Sequence, residues 1–135
     1  MRSTVARSLA GRAALLLLFA VACGGEANSA DQGAVTPQQV AALIEAGNAS
    51  VILDVRTPAE YESGHIPGAI NIPHTELPAR TNELATYQNE EIVVLCERGG
   101  RARSARGVLA AAGFERVLDL TGHMSAWRTG GFPLE

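Results

Sequence analysis

Val93-Val94-Leu95-Cys96-Glu97-Arg98-Gly99-Gly100-Arg101-Ala102-Arg103-Ser104 decides how the rest of this chain is read. It runs from an apolar strand, through a glycine-bearing loop that opens with cysteine, into the start of a helix. A thiol is thereby placed at the carboxyl end of a buried strand. The Gly99-Gly100 pair lets the backbone bend tightly, so that successive amide N–H groups can turn inward toward the sulfur. A helix beginning near Arg101 adds free N–H groups and the positive end of its dipole. Arg98, Arg101 and Arg103 in this stretch, and Arg106 just after it, stand against a single acid, Glu97. A cysteine in such surroundings is expected as thiolate, the nucleophilic form, beside a site that favours anions.

The segments on either side repeat one pattern. Thr36-Pro37 gives a hydroxyl N-cap and a proline at the first helical position, with Val40, Leu43 and Ile44 on one face up to Gly47. Val51–Val55 is a short continuous apolar run, as in a buried parallel strand. Thr57-Pro58-Ala59-Glu60 reads as N-cap, proline and capping acid of a short helix to about Ser63. A turn at residues 64–68 leads to a brief strand at residues 69–71, and residues 75–87 read as helical, with Leu77 and Leu84 on one face. Glu91–Leu95 is the strand that delivers Cys96. A helix over residues 102–112, a strand at Val117–Leu120 and a last short helix with Met124 and Trp127 complete the domain. Strands alternating with helices on short connections predict an α/β fold, a central parallel sheet with helices on both faces.

The chain has 135 residues, enough for one domain. Its basic residues are eleven arginines without a lysine, against fourteen acids, for a formal charge of −3. No basic face spreads beyond the cysteine loop and aromatic residues are few, which argues against nucleic acid as a partner. Residues 1–22 have the shape of an export signal: Arg2, Arg7 and Arg12 without an acid, an apolar run from Ala13 to Ala22, and small residues before Cys23. Ala20-Val21-Ala22-Cys23 resembles the bacterial lipoprotein box, whose cysteine is lipidated. Ala20 stands where that box carries a leucine-like residue, which leaves plain signal cleavage as the alternative. The expectation is an exported chain, periplasmic or in the cell envelope, anchored through lipid on Cys23. Its only tie to a membrane would be that lipid. Residues 23–35 would be a flexible tether and residues 36–135 the folded domain. Cys96 would then be the only free thiol.

The domain resembles a single-domain rhodanese over residues 36–135. Asp54-Val55-Arg56-Thr57-Pro58-Ala59-Glu60-Tyr61 is similar to the family's first signature, and Gly64–Pro73 to the segment after it. Cys96-Glu97-Arg98-Gly99-Gly100-Arg101 is similar to the active-site loop. Leu120-Thr121-Gly122, Trp127 and Gly131-Phe132-Pro133 are similar to the C-terminal signature, with Thr121 where glycine is common. The resemblance implies a rhodanese-like three-layer fold and a sulfurtransferase in which Cys96 takes a sulfane sulfur as a persulfide. The donor would be one such as thiosulfate, and the acceptor cyanide or a thiol. Amides of the loop from Glu97 to Arg101 would stabilise the thiolate and persulfide.

Arginine comes fifth after the cysteine, where the related phosphatases carry a loop one residue longer. That weighs against phosphate chemistry, although Glu97 is phosphatase-like. A second reading is a sulfur carrier loaded by a persulfide-bearing protein partner, and a third is a thiol redox protein, weakened because the loop has no second cysteine. Arg98 is the candidate for touching an anionic donor, and Arg101 for bracing the loop. Asp54 is expected as a structural hydrogen-bonding group, and Arg56 and Glu60 as a structural pair. His65, His74 and His123 lack metal-ligand spacing and are read as surface or turn residues, so neither a metal nor another cofactor is expected. Trp127 is read as core.

Overall fold

The computed structural model describes residues 33–135. Five strands form one sheet: β1 (Ala34–Val35), β2 (Val51–Asp54), β3 (Ile70–Asn71), β4 (Ile92–Leu95) and β5 (Val117–Leu120). Their order is β1-β5-β4-β2-β3, and every pairing is parallel. The helices are α1 (Pro37–Glu45), α2 (Pro58–Glu62), α3 (Leu77–Arg80), α4 (Gly100–Ala111) and α5 (His123–Thr129), with a 3-10 segment at Thr81–Tyr87 after α3. β4 lies at the centre, so its carboxyl end, where Cys96 follows, is flanked by the ends of β2 and β5.

Alternation along the strands builds two cores. Leu53 and Val55 of the β2 segment, with Ile92, Val94 and Cys96 of the β4 segment, point to one face, where they pack with Leu77, Leu84, Ala102, Ala105 and Leu109. Ile52, Val93 and Leu95 point to the other and meet Val40, Leu120, Met124 and Trp127. The continuous apolar runs in the sequence follow from this, since both faces of a covered parallel sheet are dry. Trp127 is fully buried and donates its indole N–H to the Pro133 carbonyl at 2.8 Å.

Two helix starts are fixed by reciprocal side-chain bonds. The Thr36 hydroxyl accepts from the Gln39 amide while the Gln39 side chain accepts from the Thr36 amide, and Thr57 and Glu60 do the same at α2. Two boundaries differ from the sequence reading. Residues 75–87 divide into α3 and the 3-10 segment, because Pro78 sits in the first turn of a four-residue α-helix. The expected tether 23–35 ends early, because Ala34 and Val35 pair with Asp119 and Leu120 as an edge strand. Residues 1–32, which hold the expected leader, Cys23 and most of that tether, lie outside the described residues.

Candidate functional site

The site begins where β4 stops. Cys96 is 1% exposed, its side chain turned toward α4. Gly99, with φ +116°, reverses the chain so that its amide donates to Cys96 Sγ at 3.0 Å. A left-handed backbone is costly for any residue with a Cβ, which is why glycine stands at the bend. Of the amides from Glu97 to Arg101, that of Gly99 is the one bonded to the sulfur; the expected ring is a single contact. Gly99 is also the N-cap of α4, whose twelve residues aim their dipole at the same point. The structure starts this helix at Gly100, one residue before Arg101.

α5 holds the loop from below. The first N–H groups of a helix have no partner inside it. Here the Met124 amide donates to the Cys96 carbonyl at 3.1 Å and the Ser125 amide to the Glu97 carbonyl at 3.2 Å. The Cys96 amide in turn donates to His123 Nδ1 at 3.3 Å. His123 is therefore a site residue that the sequence reading missed. It is 8% exposed, and burial lowers its pKa against an opposing pull from Asp119.

Ion pairs brace the loop at both shoulders. Arg101 makes a two-pronged pair with Glu60, at 2.6 and 2.7 Å. This pair holds the Glu60 carboxyl well below the usual carboxylate range and raises Arg101, with a smaller contribution to the latter from the Cys96 sulfur. Glu97 is clamped by Arg128 at 2.7 and 2.9 Å. Arg98, at the crest, is exposed and takes part in no ion pair among the described residues.

The expected Arg56–Glu60 pair does not form. Arg56 is fully buried and bonds the carboxylate of Asp54 through Nε and Nη2, at 3.0 and 2.6 Å, and the Gly64 carbonyl at 2.9 Å. Its chain points into the protein two residues from Asp54, while Glu60 turns out toward Arg101. Nη1 of Arg56 has no hydrogen-bond partner and lies 3.8 Å from Glu97 Oε2. His65 stacks on Tyr61 at 3.7 Å, remote from any metal-ligand arrangement. Among the described residues no three His, Cys, Asp or Glu side chains group as metal ligands.

The Arg101–Glu60 brace gives a stability prediction with a definite sign. A carboxyl depressed in the folded state stabilises it above the unfolded value, near pH 4.3, and that contribution fades as pH falls through the folded value. Glu60→Gln keeps an acceptor for the Thr57 amide but removes the charge. At neutral pH it is expected to lower stability by about 1 kcal/mol, the upper range for half-exposed pairs. That difference should start to narrow below the unfolded value, at about pH 4.3, and close only once pH has fallen through the depressed folded value, as read from urea midpoints at neutral pH and along an acid series.

A thiol set at the end of a central parallel strand, faced by the amide at a helix N-terminus and held in a loop braced by arginine–carboxylate pairs, defines a cysteine-centred loop on an α/β sheet. The chain belongs to the rhodanese-like domain family, whose model matches residues 36–129. Thiosulfate sulfurtransferase 16 of Arabidopsis thaliana is 38% identical over 91 residues, covering 60% of this chain and 76% of that protein. YrkF of Bacillus subtilis, named for a sulfur-carrier role, is 34% identical over 107 residues, covering 77% of this chain and 57% of its own length. A rhodanese-related protein of Thermoplasma volcanium superposes with TM-score 0.66 at 29% identity, over 76% of this chain and 97% of that one. The names of the first two refer to sulfur, one as a thiosulfate sulfurtransferase and the other as a sulfur carrier.

Proposed function

We propose that the protein is a sulfurtransferase that carries a sulfane sulfur on Cys96, with thiosulfate as a competent donor and cyanide or a small thiol as acceptor. The observation that carries this reading is the Gly99 amide aimed at Cys96 Sγ at 3.0 Å, at the head of α4. The Cys96 thiolate attacks the outer sulfur of thiosulfate, the S–S bond of the donor breaks, and sulfite leaves with the bonding pair. The new terminal sulfur carries the negative charge, where the Gly99 amide and the α4 dipole favour it. Attack on that sulfur by cyanide releases thiocyanate and restores the thiolate. Splitting the transfer in two in this way is covalent catalysis. Arg98 is the guanidinium available to a dianionic donor, since Arg101 is engaged by Glu60.

A second reading, a sulfur carrier loaded by a protein partner, draws support from the near-complete burial of Cys96 and from the likeness to YrkF. Intact mass spectrometry separates the two. Incubation with thiosulfate is expected to add one sulfur atom, removed by cyanide and absent in Cys96→Ala. Loading from a persulfidated protein alone would select the carrier, and no loading from any donor would sink both.

We also place the protein outside the cytoplasm, held by lipid on Cys23, on the strength of the leader's composition. Metabolic labelling with a fatty acid, lost in Cys23→Ala, is the expected result.

A further inference from the structure

The first residue of α5 makes a contact directly beneath Cys96. His123 sits at φ +53°, a left-handed conformation uncommon for a residue with a Cβ. It is held there with its ring between two parts of the loop: Nδ1 accepts from the Cys96 amide, and Nε2 lies only 2.8 Å from where a Cβ on Gly99 would be. A strained backbone that inserts a polar ring under a reactive residue is a feature to be explained.

We infer that His123 is a positioning residue for the sulfur: its neutral imidazole, acting through Nδ1 as acceptor, fixes the peptide of Cys96 so that Sγ stays under the Gly99 amide. This rests on the reading of Cys96 as the sulfur-bearing residue. An acceptor at Nδ1 places the imidazole proton on Nε2. Burial favours the uncharged ring that this bond needs. Together with the Met124 bond to the Cys96 carbonyl, both polar backbone groups of Cys96 are tied to the first turn of α5.

Two measurements test it. In the unmodified protein, 15N NMR of the His123 ring is expected to show an unprotonated Nδ1 and a protonated Nε2; the opposite tautomer, or an imidazolium, would overturn the inference. The second measurement is the rate of persulfide loading from thiosulfate in three variants. His123→Asn places an amide oxygen near Nδ1 and tolerates positive φ, whereas His123→Gln places its amide near Nε2 and His123→Ala supplies no acceptor. Asn is expected to load near the unmodified rate, and Gln and Ala about fivefold to tenfold more slowly, the net effect of one hydrogen bond. Equal rates in all three would overturn the positioning role. If the unmodified protein loads no sulfur, the reading of Cys96 fails, while the NMR result still decides the histidine contact.

Discussion

Gly99→Ala is expected to reduce persulfide loading at Cys96 about a hundredfold. Two costs coincide at this position. The backbone φ of +116° is one that a residue with a Cβ rarely adopts, at a cost on the order of 1–3 kcal/mol. The added Cβ would also stand 2.8 Å from His123 Nε2 and 3.2 Å from its Cδ2. The ring is confined by the buried first turn of α5, so the loop is the part that moves. A displacement of about 1 Å at reacting groups is enough for a hundredfold loss. Gly100→Ala is the matched control, since a Cβ there meets nothing within 4 Å and lies in the first turn of α4. Loading measured by intact mass should separate the neighbours, and comparable loss in both would refute the account.

The second large effect is on stability. Asp54→Ala is expected to cost about 3–5 kcal/mol, the usual result of leaving one member of a buried pair without its partner. Both side chains are fully buried, 2.6 Å apart, and Asp54 also accepts from the Arg56 amide at 3.0 Å. Alanine would leave the buried guanidinium with only the Gly64 carbonyl at 2.9 Å and the Glu97 carboxylate at 3.8 Å, and Nη1 already makes no hydrogen bond. Changing Arg56 to methionine alongside Asp54→Ala is expected to restore much of the loss, because an apolar replacement of a buried pair is often tolerated. Urea midpoints of the single and double variants check this, and a single-variant loss below about 1 kcal/mol would contradict it.

What the chain announces locally, the structure contains. The run Val117–Leu120 is the strand β5, and Thr-Pro pairs open α1 and α2, because apolar continuity and capping are properties of neighbours in sequence. The approach of Gly99 to Cys96 is equally local, three residues apart. Three features are not. β1 is two residues long, and only its register with Asp119 and Leu120 makes it a strand. Arg56 has acids two and four residues away, and the choice of Asp54 depends on which side chain the fold buries. His123 follows Cys96 by 27 residues, and a single histidine carries no spacing signal. Its one clue was its place directly after Gly122, at the head of a helix, which is also where Gly122 itself takes a φ of +71°.

The bonds from α5 to Cys96 and Glu97 also impose an order in time. At roughly 5–20 residues per second, the 27 residues between Cys96 and His123 take the ribosome about 1–5 s to add. During that interval the thiol exists without the turn that bonds its residue's N–H and C=O. The nucleophile is therefore made before its holder, and the bonds from α5 can form only after residues 123–125 have been added.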